Sequence, residues 1–242
     1  MNIAIVTCVY NGYGEFVDQW LGFIDKSFIR PEKVVIALGR DHGLKDHEAL
    51  FKKYERLNLQ FHFCETTKPL MGLMRNQAVG QVESEEWVMY LSVDDMLLPD
   101  AIGTFESVQS EADYICISWE SIATWKPWAP VVYHEAKTPM RLAREFDTRG
   151  FIVGHSPWRK KFWDMEPYMN HDYPNAPFVA GMIKNGARFV STDVPCTRYL
   201  QRQDSHAARL GRRGKKLAVE KERQQARKWK QYLQSTMRDY YT

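Results

Sequence analysis

Short, mostly apolar runs alternate with amphipathic segments along the chain. Helical spacing is predicted from Phe16 to Phe28, over Asp46–Leu57 and Leu73–Val82, and after Pro99. Further helices are predicted near 138–146, 158–165 and 176–185. The apolar runs have the length and the β-branched content of buried strands; they are residues 2–9, Lys33–Leu38, Leu59–Cys64, Trp87–Val93, Asp113–Trp119 and Ala187–Ser191. This alternation predicts an α/β fold with a mostly parallel sheet flanked by helices.

Composition is consistent with one large domain and an appendage. The chain has 242 residues and 44% of them are hydrophobic, which is enough to build a full core. The four cysteines form no C-x-x-C pair and predict reduced thiols in a cytoplasmic protein, or in the host cytoplasm if a phage encodes it. The chain opens on a strand pattern, so we expect no signal peptide, and no apolar stretch is long enough to predict a transmembrane segment.

Charge is distributed unevenly along the chain. Residues 198–242 hold 13 Lys and Arg against four Asp and Glu, so their net charge is +9, whereas residues 1–197 carry −6. We therefore expect a domain over 1–204 and a basic helical extension over 205–242. Such an extension is typical of contact with nucleic-acid phosphates or with an anionic membrane surface, or of a solvated helix packed on its own domain.

Polar residues follow the predicted strands at the edge where ligands bind in open α/β sheets. They lie in Thr7–Asn11, in Gly39–Gly43 and at Asp94 and Asp95. A carboxylate pair after a buried strand is costly unless a cation or water meets it, and hard divalent cations prefer such ligands. A turn or a helix N-cap before Pro99 is the simpler alternative.

The order of three motifs resembles the family 2 glycosyltransferases. A strand with a Tyr-Asn turn stands at Ile3–Gly12, a Gly-Arg-Asn helix start at Gly72–Ala78, and a strand leading to an acidic motif at Tyr90–Asp95, followed by Pro99-Asp100. Together they cover about residues 1–110 in the family's order. The resemblance implies a GT-A-type fold, a nucleotide-sugar donor of the UDP type and a divalent metal, Mn²⁺ or Mg²⁺.

The resemblance also implies roles for individual residues. Asp94 would bind the metal, with Ser92 standing where the family has its first carboxylate, and Asp41 would replace the carboxylate that usually ends the second strand. The remaining donor-site residues implied are Thr7, Val9, Tyr10, Asn11, Arg75 and Asp95. The alternatives are ordinary structural roles, with Thr7 as a plain strand residue and Arg75 in a surface ion pair.

The second half of the chain resembles the family less closely. Asp172 is the candidate general base, with His171 as the second choice, since a carboxylate or an imidazole can accept the proton of an acceptor hydroxyl. Both residues could instead cap the following helix. By the same resemblance, Arg202 would neutralise the leaving diphosphate and His206 would be a further metal ligand, unless His206 is simply a surface residue.

Several functions fit these features. One is transfer of a sugar from a nucleotide sugar to DNA that carries a hydroxymethylated base, as in phage DNA modification; another is transfer to an envelope polysaccharide or a glycolipid. A non-catalytic nucleotide-binding module is a third, motivated by Ser92, and a nucleotidyltransferase would need a glycine-rich basic signature that the N-terminal region lacks. An aromatic segment, residues 119–133, predicts a functional loop or a hairpin whose rings stack on sugars or bases, or pack as core.

Overall fold

The computed structural model describes residues 1–65, 71–126, 128–144, 155–169 and 174–202, together with residues 224 and 231. The predicted catalytic residues His171 and Asp172 and the predicted metal ligand His206 lie outside these ranges. Nearly all of the predicted basic extension, 205–242, also lies outside them.

Nine strands form one sheet in the described part of the chain. Its order is β3-β2-β1-β4-β8-β6-β9-β5, with β7 paired to β6. The strands are β1 Ile3–Val9, β2 Lys33–Leu38, β3 Leu59–Phe63, β4 Trp87–Tyr90, β5 Met96–Leu97, β6 Tyr114–Ala123, β7 Val132–His134, β8 Pro157–Arg159 and β9 Phe189–Gln201.

Six of these strands run in the same direction. β3, β2, β1 and β4 are parallel neighbours, β6 and β9 are parallel neighbours, and β8 joins the two groups by pairing antiparallel to both β4 and β6. β5 and β7 are antiparallel additions to β9 and β6. The α/β fold with a mostly parallel sheet is therefore confirmed.

Helices cover both faces of the sheet. They are a 3₁₀ turn, Tyr13–Phe16, and α1 Val17–Asp25, α2 His47–Lys53, α3 Met71–Val79, α4 Ala101–Val108, α5 Pro139–Arg144, α6 Lys161–Met165 and α7 Asn175–Lys184. Successive residues of a strand point to opposite faces, so Ile5 packs in one core with Trp20 of α1, while Val6 packs in a second core with Met74 of α3. Two apolar layers thus fix the sheet and leave its carboxyl edge for polar loops.

Several element predictions were wrong in their bounds, and three of them have a clear structural reason. β4 ends at Tyr90 instead of Val93, because the chain turns there and the Asp95 N–H donates to the Ser92 carbonyl at 3.0 Å. The start of the predicted helix 158–165 is strand β8, and the helix begins only at Lys161. The late strand extends beyond Ser191 to Gln201, because it pairs along the whole of β6.

The cysteines are buried and unpaired, as the sequence predicted. All four cysteines are free and buried, and burial raises the pKa of the Cys8 thiol to about 12, so this thiol stays protonated.

The helices within the described residues are all too short or too polar to cross a bilayer.

Candidate functional site

Two loops join at the carboxyl edge of the parallel strands. The Gly39 N–H, after β2, donates to the Val9 carbonyl at the end of β1 at 2.8 Å. The Gly12 N–H donates to the Asp41 carbonyl, also at 2.8 Å. The loops that follow β1 and β2 therefore form one continuous backbone wall at the edge where α/β sheets bind ligands.

The turn after β1 depends on left-handed backbone and on close packing. Asn11 has φ 53° and Gly12 has φ 79°, a conformation that asparagine and glycine tolerate best. A Cβ atom at Gly14 would lie 2.3 Å from the Leu44 backbone nitrogen. Only glycine fits there, so the sequence Asn-Gly-Tyr-Gly fixes the turn against the loop after β2.

The residues predicted to line the nucleobase and ribose site differ in accessibility. Thr7 and Val9 are fully buried in β1, and Thr7 Oγ1 has no hydrogen-bond partner among the described residues. Asn11 is exposed and Tyr10 is half-buried. Burial raises the pKa of the Tyr10 phenol to about 12, so the hydroxyl stays protonated and can donate a hydrogen bond. A ligand can reach the side chains of Tyr10 and Asn11.

The acidic loop after β4 is held in place by a histidine. His155 Nε2 lies 3.1 Å from Asp95 Oδ2 and 3.2 Å from Ser92 Oγ. The other Asp95 oxygen accepts a hydrogen bond from the Leu200 N–H of β9 at 3.1 Å. Both oxygens of the buried Asp95 are therefore engaged, and Ser92, which stands where the family has its first carboxylate, contacts His155.

Asp94 carries the less compensated charge of the acidic pair. Burial and the neighbouring Asp95 carboxylate raise the pKa of Asp94 to about 6, while a backbone hydrogen bond and the charges of His155 and Arg202 oppose that shift. Asp94 is half-buried, so a ligand can approach it. This carboxylate sits where an added positive charge would be stabilising.

Arg202 lies next to this loop, directly after β9. Its guanidinium stacks over the Phe16 ring with Cζ 3.9 Å from the ring centroid, and Nη2 lies 3.5 Å from Gln19 Oε1. Its Nε is buried and has no hydrogen-bond partner among the described residues. The structure thus brings the predicted diphosphate-binding arginine near Asp94 with donor capacity to spare.

Arg75 lies in the interior, away from the surface position that an ion pair would need. It is only 3% exposed, and its guanidinium stacks on Tyr90 at 3.6 Å. It donates to Asn175 Oδ1 of α7, and Nη2 contacts Met71 Sδ at 3.2 Å. Arg75 therefore connects α3, β4 and α7 beneath the site, and its link to β4 supports the strand that carries the acidic loop.

Asp41 is exposed on the loop after β2. A cavity of about 340 Å³ opens beside this loop and continues to the end of β3. Its walls are formed by Leu38, Gly39, Arg40, His42, Phe63, Cys64 and Glu65. The predicted base-binding loop thus borders a concave space that combines an exposed aromatic ring with charged groups.

The residues present fit a divalent cation at Asp94. Asp95 is occupied by His155 and by a backbone N–H, which leaves Asp94 as the carboxylate of this loop that a cation could meet. The described part of the chain contains no group of three His, Cys, Asp or Glu side chains arranged to hold a metal. Mg²⁺ and Mn²⁺ sites that handle phosphates commonly use one or two carboxylates, with phosphate and water oxygens as the other ligands.

The sequence reasoning missed His155. This residue lies 63 positions after Ser92 along the chain and belongs to no recognised motif. The only local signal was its place before the apolar residues of β8, and β8 lies between β4 and β6 in the sheet.

Comparison with known proteins gives a match of fold. No family model matches the chain, and no curated protein matches it either. S. aureus TarS 1–349 in complex with UDP-GlcNAc superposes with a TM-score of 0.66 at 16% identity, over 85% of this chain and 60% of that one. The same TarS fragment without ligand gives 0.64 at 17%, and in complex with UDP 0.62 at 15%.

The fold, and the edge of the sheet at which the polar loops lie, define the structural class of the chain. The chain has the GT-A-type α/β fold that its resemblance implied, with the acidic loop after β4 at the carboxyl edge of the sheet. It spans about 60% of the length of TarS 1–349. At 15–17% identity the similarity shows the fold alone.

Proposed function

We propose that this chain is a glycosyltransferase that transfers a sugar from a UDP-sugar to a hydroxyl group. The observation that carries the proposal is the half-buried Asp94, with the charge of Arg202 acting on it, at the ligand-binding edge of the sheet. The crystal structures of TarS in complex with UDP and with UDP-GlcNAc support UDP as the nucleotide and GlcNAc as the first sugar to test.

The donor would lie across the joined loops. Tyr10 and Asn11 would contact the nucleobase and the ribose, because theirs are the accessible side chains after β1. Asp94 would hold Mn²⁺ or Mg²⁺, which neutralises negative charge on the diphosphate as it leaves. Arg202 would donate to the diphosphate oxygens through its unpartnered Nε, since charge-assisted hydrogen bonds suit this group.

The transfer step requires a base. The acceptor oxygen attacks the anomeric carbon, a C–O bond forms, the bond to the diphosphate breaks, and its electron pair leaves with UDP. The acceptor proton passes to a carboxylate or an imidazole. We assign this role to Asp172, with His171 as the second choice, from their position in the sequence before α7.

The acceptor hypotheses depend on different parts of the chain. The net charge of +9 over residues 198–242 would suit a DNA acceptor with a hydroxymethylated base, since lysines and arginines bind phosphates. An envelope polysaccharide or glycolipid is the alternative. If the chain is instead a non-catalytic nucleotide-binding module, it will bind the donor without ever breaking the bond between sugar and diphosphate.

Calorimetry with UDP tests the donor site. We expect UDP to bind to the wild-type protein, more tightly with Mn²⁺ than without it. Asp94→Asn should remove the effect of Mn²⁺, since the amide cannot supply a negative ligand. The matched control is Asp193→Asn, at an exposed aspartate outside the site. Absence of UDP binding, or an Asp94→Asn variant with wild-type Mn²⁺ dependence, would contradict the proposal.

A further inference from the structure

The tip of the hairpin between β6 and β7 presents exposed aromatic surface. We define the hairpin tip as residues 124–126 and 128–131. Trp128 is 80% exposed and Trp125 is 37% exposed, and Val131 adds a further exposed apolar side chain at 44%. Exposed tryptophans cost hydration free energy in a folded protein, so a cluster of them marks a binding surface more often than a structural one.

A rigid base supports this tip. The Trp119 ring stacks on His134 with 3.7 Å between centroids and 10° between planes, and Ser121 Oγ lies 2.9 Å from His134 Nε2. The Tyr133 hydroxyl donates to the Asp193 carbonyl at 3.0 Å. Because these rings hold β6, β7 and β9 together, the tip is displayed on a fixed scaffold, which lowers the entropy cost of binding.

The hairpin tip is continuous with the candidate donor site. The backbone N–H and the hydroxyl of Thr124 both donate to the Gln201 carbonyl, at 3.0 and 2.9 Å. Gln201 directly precedes Arg202, and Leu200 donates its N–H to Asp95. Strands lie about 4.8 Å apart and rise about 3.3 Å per residue, so these links place Thr124, the first residue of the tip, within roughly 10–15 Å of the acidic loop.

The charge around the hairpin favours a neutral ligand. Residues 114–136 contain two carboxylates, Glu120 and Glu135, and a single lysine, Lys126. Glu120 is paired with Arg198, and Glu135 with Arg141. A phosphate backbone would find little positive charge here, whereas nucleic-acid surfaces are strongly basic. The face of an indole ring is partly negative and attracts the weakly positive C–H groups on the apolar face of a pyranose.

We propose that the hairpin tip is the acceptor platform, and that it binds a neutral carbohydrate through Trp125 and Trp128. This inference rests on the proposed function and names the substrate class of the second half of the site. The sugar that stacks on the tip presents its hydroxyl toward Asp94 and Arg202, where the donor would lie.

The test measures binding to an array of neutral oligosaccharides built from hexoses and N-acetylhexosamines. We expect the wild type to bind members of this array, and Trp125→Ala and Trp128→Ala each to weaken binding about tenfold or more. Trp128→Phe should retain most of the affinity because it keeps an aromatic face. Phe28→Ala is the matched control: Phe28 is 79% exposed but lies before β2, away from the tip.

Two further measurements separate a failure of the donor proposal from a failure of the acceptor platform. Calorimetry with UDP on every variant should give wild-type affinity, and failure of the wild type to bind UDP would refute the donor proposal without affecting the array result. A single-stranded oligonucleotide with 5-hydroxymethylcytosine should bind equally to wild type and tryptophan variants. The platform is refuted if the wild type binds no saccharide, if both alanine variants bind as the wild type does, or if the tryptophan variants lose oligonucleotide binding instead.

Discussion

Asp94 combines a proposed metal-binding position with an energetic cost. Its pKa is raised to about 6 because burial and the adjacent Asp95 both disfavour the ionised form. In the unfolded chain the pKa of an aspartate is near 3.9. The folded protein therefore binds a proton more readily than the unfolded chain at this position, and the charge destabilises the fold once Asp94 is ionised.

Asp94→Asn should therefore stabilise the fold while impairing the site. The ionised Asp94 carboxylate destabilises the folded state fully above about pH 6. This destabilisation disappears below about pH 4, where Asp94 is protonated in both the folded and the unfolded state. We expect the variant to gain about 1–2 kcal/mol in unfolding free energy at pH 7.5. Urea denaturation of both proteins in metal-free buffer measures this gain.

The pH dependence provides the control for this prediction. The difference between Asp94→Asn and wild type should shrink as the pH falls from 6 towards 4, and Asp193→Asn should show no comparable gain at any pH. A variant less stable than the wild type at pH 7.5 would mean that the hydrogen bonds of the Asp94 carboxylate outweigh its burial.

At the scale of the elements, Asp113 joins two strands and a helix at the amino end of β6. It accepts hydrogen bonds from the Arg188 N–H at 3.0 Å and from Arg188 Nε at 3.2 Å, and Lys161 Nζ lies 3.0 Å away. Burial alone would raise the pKa of Asp113, but these hydrogen bonds and charges more than compensate and lower it. The carboxylate thus connects the starts of β6, α6 and β9.

Asp113→Asn should destabilise the fold at neutral pH by about 1–2 kcal/mol, since the ionised form accepts the stronger hydrogen bonds. The stabilisation by Asp113 is present above the unfolded-state pKa and is lost as the pH falls through the lower folded-state pKa. Denaturation at pH 7 and at pH 3 measures it. Asp164→Asn, which removes an exposed ion pair with Lys160, should cost far less; equal losses in the two variants would contradict this account.

An element could be predicted when the sequence of its own segment determines it, and was missed when it forms only by pairing with distant strands. β1 and β2 were predicted because their runs are buried on both faces and apolar throughout. β8 was not, because its three residues, Pro157–Arg159, become a strand only by pairing with β4 and β6. The same reason explains why the predicted late strand stopped short of Gln201, since its continuation follows β6.

The residues of the candidate site also fall into those that the sequence predicted and those that it did not. Asp94, Tyr10 and Asn11 were predicted because they directly follow strands, and strand ends meet at one edge. The contact of His155 with Ser92 and Asp95 was not predicted, since only the folded chain brings residues 63 positions apart together. The buried setting of Arg75 was also missed, because nothing in its helix pattern indicates the rings of Tyr90 and Tyr168.

At the scale of the whole molecule, the described ranges contain a GT-A-type sheet with its polar loops at one edge. The fold matches TarS at 15–17% identity, so its core layers tolerate almost complete replacement of the sequence. The proposal of sugar transfer therefore rests on the loops at the edge of the sheet, because a fold alone does not determine function.

The most direct measurement is release of UDP from UDP-GlcNAc in the presence of Mn²⁺, first without any acceptor. The account predicts slow release by the wild type, faster release when an acceptor is added, and a loss of about 10²-fold or more in Asp94→Asn. Asp172→Asn should slow transfer by about 10²–10⁴-fold while UDP affinity is retained. A wild-type protein that binds UDP-sugars and never releases UDP, with or without acceptor, would contradict the account and identify a binding module.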